Sequence, residues 1–177
     1  KKPYYRLEIQ LDQLSNITLY SKFGGASGNF NAHVLAYPNI DWNEFSDILV
    51  ESFGLKRSTY TTQIDNYDSL AQLFDTMKRI NVILIDLCQD IWLYISRDYF
   101  RQIHINGEIG SSTMPHKINP INFENAEGNF LMANTLFEFF SRKLPISRLQ
   151  RDLTDSTVSR NIGVAFAHMC IALDNVV

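Results

Sequence analysis

A long amphipathic stretch dominates the hydrophobic pattern of the chain. Residues 65–106 contain neither Gly nor Pro, and apolar residues recur within them at alternating spacings of three and four. These apolar residues are Leu70, Leu73, Met77, Ile80, Leu84, Leu87, Ile91 and Tyr94. The spacing predicts a helix over about residues 69–99, which would be about 46 Å long at about 1.5 Å per residue. Because a compact domain of this chain length is only about 40 Å across, the helix should extend beyond a globular envelope.

Further apolar residues of the same stretch lie outside that stripe, so the helix is apolar on more than one face. They are Phe74, Val82, Ile83, Ile85, Cys88 and Trp92. Such a helix is either buried within its own chain or belongs to a long-helix bundle that also packs against other subunits. We favour the bundle, because the rest of the chain offers too little material to cover both faces.

The segments before the long helix predict two shorter helices. Leucines recur at helical spacing over about residues 4–23, and the glycine-rich segment 24–28 ends that helix. Residues 29–43 are expected to be irregular. Asp41 is a good N-cap for a short amphipathic helix over residues 44–53.

The remaining segments are also helical or irregular. Residues 55–64, which follow Gly54, form an extended polar and aromatic connection. Pro120 suits the first turn of a helix over residues 121–142. Thr154 or Asp155 could cap a last helix that runs to the end of the chain. No segment predicts a persuasive strand, so the fold class is all-α, a long-helix bundle.

Composition and charge exclude several classes of protein. Apolar residues make up 45% of the 177 residues and charged residues 20%, which is typical of a folded chain. The 16 basic and 19 acidic residues give a net charge of −3, which argues against a general nucleic-acid-binding surface. No apolar run approaches the roughly 20 residues that span a membrane. Cys88 and Cys170 lie in apolar segments without metal-ligand spacing, so we expect reduced core cysteines and a reducing compartment.

The two ends of the chain indicate a fragment. Lys1 occupies the first position instead of Met, and the helical pattern continues into the last residues without a stop signal. We therefore interpret residues 1–177 as the central helical-bundle domain of a longer protein.

Two segments carry residues that could bind a substrate or take part in catalysis. The first, residues 107–120 (GEIGSSTMPHKINP), combines glycines, hydroxyls, an ammonium and a carboxamide, which together suit a carboxylate-rich anion. An ordinary surface loop is the alternative, and neither a P-loop nor a Gly-x-Ser-x-Gly elbow is present. The second, residues 148–160 (RLQRDLTDSTVSR), places arginines beside hydroxyls at a helix start. It predicts either a phosphate site or a capped, solvated helix terminus.

The first segment resembles a known signature. The pattern Ser111-Ser112-x-Met114-Pro115-x-Lys117-x-Asn119-x4-Glu124 matches the fumarase/aspartase superfamily. Within that superfamily, residues 24–33, 60–63, 107–128 and 143–157 resemble the adenylosuccinate lyase family in its bacterial-type branch. The similarity extends over essentially the whole chain and implies a helical-bundle lyase.

The resemblance implies an anti β-elimination that releases fumarate from a substituted succinate. By position in the motif, Ser111 would be the general base and Glu124 would hydrogen-bond the general-acid His. The implied substrate-binding residues are Gln63, Ser112, Met114, Lys117, Asn119, Arg151, Ser156 and Arg160. Of these, Gln63, Lys117 and Asn119 would bind the succinyl part, whereas the two arginines and Ser156 would bind the nucleotide 5′-phosphate. The resemblance implies no cofactor and no metal.

The general-acid His of the family has no counterpart in this chain. None of the four histidines, His33, His104, His116 and His168, matches its motif, so the fragment alone is expected to be inactive. The resemblance further implies a cytoplasmic homotetramer that shares its sites between subunits and binds a nucleotide substrate and fumarate, but neither nucleic acid nor a membrane. Another fumarate-releasing lyase, such as argininosuccinate lyase, and a non-catalytic helical module are the alternatives.

Overall fold

Helices make up most of the chain that the structure describes. The computed structural model covers residues 1–102, 120–149 and 151–177. Within these ranges the elements are α1 (Lys2–Ser15), β1 (Tyr20–Ser21), α2 (Asn31–Ala36), α3 (Trp42–Glu51), β2 (Lys56–Arg57), α4 (Asp68–Ser96), α5 (Ile121–Lys143), α6 (Thr154–Ser159) and α7 (Ile162–Val176). The predicted all-α class is confirmed.

The core lies along an antiparallel pair formed by α4 and α5. The ring centroid of Phe74 is 5.8 Å from that of Phe137. Asn81, seven residues after Phe74 on α4, donates from Nδ2 to Asn134 Oδ1 at 2.9 Å. Because Asn134 precedes Phe137 on α5, the two helices run in opposite directions. Helix α7 packs against α5 and α1 packs against α4. The largest fully buried apolar side chains are Phe74, Phe130, Phe137, Phe140 and Leu144.

Helix α4 is nearly as long as the sequence predicts. Its 29 residues span about 43 Å at about 1.5 Å per residue, and it ends at Ser96 instead of residue 99. Three of the residues outside the apolar stripe, Phe74, Ile83 and Cys88, are buried within the chain itself. Val82 and Trp92 are 48% and 41% exposed, so part of the second face stays uncovered.

The N-terminal helix is shorter than predicted. It ends at Ser15, and the side chains of Ser15 and Asn16 both donate at 2.8 Å to the Asp12 carbonyl oxygen, which also accepts the Asn16 amide at 3.2 Å. The chain then forms β1, which pairs in parallel with β2. The predictions of a helix to residue 23 and of a chain without strands were therefore wrong.

In the segment around α2 and α3, the predicted N-cap at Asp41 is confirmed and the prediction of an irregular segment over residues 29–43 is wrong. Asp41 accepts from the amides of Asn43 and Glu44 at 2.9 and 3.1 Å, as expected of the N-cap of α3. Gly54 follows that helix with a φ of +73°, a left-handed conformation that glycine adopts without strain. Helix α2 lies within the range expected to be irregular.

The C-terminal part contains two helices where the sequence predicts one. Helix α5 agrees with the prediction to within one residue, with Pro120 at its N-cap position. Helices α6 and α7 are separated at Arg160 and Asn161, and the Asn161 side chain donates to the Thr157 carbonyl oxygen at 3.0 Å. Neither the Thr154 nor the Asp155 side chain caps α6.

The two cysteines differ in exposure. Cys88 is buried as predicted, whereas Cys170 is exposed, so its assignment to the core was wrong. Both thiols are free of disulfides. In the described part of the chain, no helix is both long and apolar enough to cross a membrane.

Candidate functional site

Glu124 lies in the first turn of α5, where the helix dipole favours a carboxylate. Its side chain is exposed, and the indole Nε1 of Trp92 donates to its Oε1 at 2.8 Å. Trp92 belongs to the second-last turn of α4, so the bond joins the end of one helix to the start of the next. The sequence indicates Glu124 through its motif, but no spacing signal points to Trp92.

Gln63 lies in the connection between β2 and α4, and the preceding residues Thr61 and Thr62 contact Gly28 of the glycine-rich segment 24–28. A Cβ on Gly28 would approach the Thr62 carbonyl oxygen to 2.7 Å, and Gly28 has a φ of +81°. Lys22 Nζ donates to the Gly25 and Thr62 carbonyl oxygens at 2.9 and 3.3 Å. Two of the family-like stretches, residues 24–33 and 60–63, are therefore held together.

A polar cavity of about 410 Å³ opens beside this contact. It is lined by Gly28, Asn29, Thr59, Tyr60, Thr61, Thr62, Ile64 and Asn66. Gln63 lies between two of the lining residues and is half-buried. Burial lowers the pKa of Lys22 below its ordinary value. Hydroxyl and amide groups of this kind suit a polar ligand that accepts hydrogen bonds.

His33 serves packing in this region. Its ring meets those of Phe23, Phe30 and Trp42 edge-on, with centroids 5.4, 5.8 and 4.8 Å away. Its Nδ1 is buried and has no hydrogen-bond partner among the described residues. A ring enclosed by aromatic side chains is poorly placed to transfer protons to a substrate. The structure thus agrees with the view that His33 is not the general acid.

Arg151, Ser156 and Arg160 lie around the short helix α6 and are all exposed. Ser156 and Arg160 are four residues apart, which places them on the same face of the helical segment. The Ser156 hydroxyl donates to the Leu153 carbonyl oxygen at 2.8 Å. The arginines are therefore accessible to an anion.

The start of α6 already carries a carboxylate. The Thr154 amide donates to Asp152 Oδ1 at 3.0 Å. Hydrogen bonds from the Thr154 backbone and side chain, followed by the charges of Lys143 and Arg148, lower the pKa of Asp152. An anion at this segment would therefore meet the exposed arginines and not a free helix terminus.

Helix α6 is fastened to the end of α5 by a lysine. Lys143 Nζ lies 3.1 Å from Asp155 Oδ1 and 3.6 Å from Asp152 Oδ2, and both aspartates are buried. Burial, followed by the charges of Asp155 and Asp65, raises the pKa of Tyr67 at the start of α4. The start of α4, the end of α5 and α6 therefore meet at one end of the bundle.

The two groups of candidate residues lie at opposite ends of the bundle. Glu124 and Lys143 are 19 residues apart on α5, a separation of about 28 Å along the helix. Gln63, four residues before Tyr67, and the segment with Arg151 belong to the Lys143 end. One chain therefore does not bring Glu124 together with these residues.

The other predicted site residues lie outside the described residues. They are Ser111, Ser112, Met114, Lys117 and Asn119, and the same holds for His104 and His116. His168, the remaining histidine, shares a 2.8 Å hydrogen bond with Asn129 Oδ1 between α7 and α5, which is a structural role. In the described ranges, no group of three or more His, Cys, Asp or Glu side chains could hold a metal ion.

Two family models match consecutive parts of the chain. The model described as Lyase matches residues 3–133, and the model described as Adenylosuccinate lyase C-terminal matches residues 147–177. The second match contains Arg151, Ser156 and Arg160. It thus covers the whole arginine-bearing segment around α6.

Curated relatives carry the name adenylosuccinate lyase. The protein of Dictyostelium discoideum is 58% identical over 97% of this chain, and that of Escherichia coli strain K12 is 52% identical over 95%. The Legionella pneumophila strain Corby protein is 54% identical over 97%. The chain spans 37% of the length of the first two relatives and 38% of the third.

Proposed function

The chain belongs to the lyase family whose model matches residues 3–133, and on that premise we propose that the whole protein is an adenylosuccinate lyase. It would release fumarate from adenylosuccinate, leaving AMP, and from the succinyl-aminoimidazole-carboxamide ribotide in purine nucleotide biosynthesis. The observation that carries the proposal is the match of residues 147–177 to a model specific to adenylosuccinate lyases, in the segment with the exposed arginines.

The proposed reaction is an anti β-elimination. Ser111 removes a proton from the succinyl Cβ, the electron pair of that C–H bond forms the C=C bond of fumarate, and the C–N bond breaks. The leaving nitrogen takes a proton from a His that a part of the protein outside this chain supplies, and Glu124 hydrogen-bonds this His. A serine hydroxyl is a weak base, so we assign Lys117 to stabilise its alkoxide.

We assign substrate recognition to two groups of residues. Ser112, Met114, Lys117 and Asn119 contact the succinyl group together with Gln63. Arg151, Ser156 and Arg160 bind the 5′-phosphate, because two guanidinium groups and a hydroxyl offer several charge-assisted hydrogen bonds. Their exposure supports this role, since a buried arginine could not reach a diffusing ligand.

We further infer that the whole protein is a homotetramer whose sites combine residues of different subunits. The separation of about 28 Å along α5 supports this, because a single nucleotide cannot reach from Glu124 to Arg151 within one chain. Exposed apolar side chains on several helices also support it. They include Tyr4 and Ile9 on α1, Ile48 on α3, Leu131 and Met132 on α5, and Ile171 on α7. Two free thiols fit our expectation of a cytoplasmic protein.

Turnover of adenylosuccinate by the whole protein, followed by absorbance, tests the proposal. We expect Ser111→Ala to lower kcat by at least about a thousandfold while substrate binding persists. Absence of cleavage by the wild-type protein would refute the function, and near-normal turnover by Ser111→Ala would remove Ser111 as the base.

The phosphate site has a matched control in the same segment. Arg151→Ala should raise KM for phosphorylated substrates by about tenfold or more, because it removes a charge-assisted bond. The side chain of Arg148 is 81% exposed three residues earlier, so Arg148→Ala removes the same charge without touching the assigned site. Equal effects of the two substitutions would contradict the role of Arg151.

A further inference from the structure

We propose that Trp92 is a positioning residue for the Glu124 carboxylate, an inference that rests on the proposed role of Glu124. The indole Nε1 of Trp92 donates to Glu124 Oε1 at 2.8 Å, across the contact between α4 and α5. Because an indole has a single donor, it fixes one carboxylate oxygen. We assign the other oxygen, Oε2, to the general-acid His.

The exposure of Glu124 makes such a restraint necessary. Glu124 is exposed in the first turn of α5, and an exposed glutamate samples several rotamers about three side-chain torsions. Trp92 is itself 41% exposed, but its side chain has two torsions against the three of glutamate, so its planar indole is the more rigid partner. A rigid donor thus selects one orientation of the carboxylate before substrate binds, which reduces the entropy lost on reaching the reactive geometry.

A second hydrogen bond between α4 and α5 serves as a control that separates stabilisation of the helix pair from positioning of the Glu124 carboxylate. Gln89 Nε2 donates to Glu127 Oε1 at 2.8 Å, three residues before Trp92 on α4 and three residues after Glu124 on α5. Both bonds join an α4 donor to an α5 glutamate near the protein surface. The acceptors differ in one respect: Glu124 is the last residue of the Ser111-to-Glu124 signature, whereas Glu127 follows that signature and has no assigned role.

The experiment compares Trp92→Phe with Gln89→Met in the whole protein, using steady-state cleavage of adenylosuccinate. Trp92→Phe keeps an aromatic ring and removes the donor. We expect kcat to fall by about tenfold, the worth of one hydrogen bond to a charged group, with KM changed by less than about twofold. Gln89→Met should leave kcat within about twofold of wild type.

Combining Trp92→Phe with Glu124→Gln tests whether Trp92 acts through the Glu124 carboxylate. In a Glu124→Gln background, Trp92→Phe should lower kcat by less than about twofold further, since the carboxylate it orients is gone. Three results would each overturn the proposal: wild-type kcat in Trp92→Phe, equal losses in Trp92→Phe and Gln89→Met, or an undiminished loss in the Glu124→Gln background.

Two further controls keep the outcomes distinct. If Trp92→Phe fails to fold, replacement of Trp92 by benzothienylalanine, which has the shape of tryptophan with sulfur in place of N–H, is judged by the same criteria. Full activity of Glu124→Gln alone would refute the assigned role of Glu124, whereas an inactive Glu124→Gln beside a fully active Trp92→Phe refutes only the positioning role.

Discussion

Mixing two impaired variants, assayed at substrate concentrations well below KM, tests whether one site takes residues from different subunits. Glu124→Gln removes the carboxylate at one end of the bundle, and Arg151→Ala weakens phosphate binding at the other. Lys143, whose ammonium contacts Asp155 at 3.1 Å, marks the second end, about 28 Å from Glu124 along α5. Because a nucleotide cannot extend over that distance, a working site should take Glu124 from one subunit and Arg151 from another.

The expected magnitude follows from random assembly. In an equimolar mixture, the subunit that supplies position 124 to a given site carries Glu124 with a probability of about one half. The subunit that supplies position 151 carries Arg151 with the same probability. About one quarter of the sites should then contain both intact groups, so the hybrid should recover about one quarter of wild-type activity. Co-expression of the two variants with different tags, purification by both tags and the absorbance assay measure this fraction.

A second mixture serves as the control. Arg151→Ala and Arg160→Ala alter the same segment, so no site can obtain both intact groups from such a mixture, and activity should remain at the level of the separate variants. If the Glu124→Gln and Arg151→Ala mixture also stays at that level, the assignment of these groups to different subunits is wrong.

Three further predictions concern the fold. Gly28→Ala should lower the melting temperature and the activity, because the added Cβ would lie 2.7 Å from a carbonyl oxygen. Gly54 has a similar φ and no atom within 4 Å of such a Cβ, so Gly54→Ala measures the conformational strain alone. Phe137→Ala, at a fully buried position, should cost about 3–5 kcal/mol of unfolding free energy in chemical denaturation, and Phe139→Ala, 41% exposed, far less. Burial, followed by the charge of Glu127, raises the pKa of Cys88 to about 11, so its thiol should resist iodoacetamide at pH 8 and react only on unfolding; rapid labelling of the native protein would contradict this.

The sequence predicts the long elements well, because their signals repeat. Helix α4 has an uninterrupted apolar period over many turns, and α3 has both a capping aspartate and a terminal glycine. The end of α1 was missed, because it is marked by hydrogen bonds from the Ser15 and Asn16 side chains to the Asp12 carbonyl oxygen, which a pattern of apolar spacings does not show. The strands were missed because each has two residues and forms only by pairing with a segment about 35 residues away.

The candidate site was predictable only where a motif or a charge pattern exists. Glu124 and Arg151 are assigned to the candidate site through the resemblance. Trp92 and Lys22 are not, because each acts through a hydrogen bond to a different element, and such a partner is set by helix packing or loop closure. No sequence pattern singles out Lys22, whose ammonium donates to the Gly25 and Thr62 carbonyl oxygens in the structure.

The antiparallel register of α4 and α5 limits the insertions and deletions that these helices can tolerate. Deleting one residue of α4 between Asn81 and Trp92 would shift the indole by about 1.5 Å and rotate it by about 100° around the helix axis. Trp92 would then point away from Glu124, while the Asn81 hydrogen bond to Asn134 stays in place. A one-residue insertion in the same stretch of α4 would reverse both the shift and the rotation, so a single insertion or deletion between Asn81 and Trp92 should be tolerated only together with its opposite.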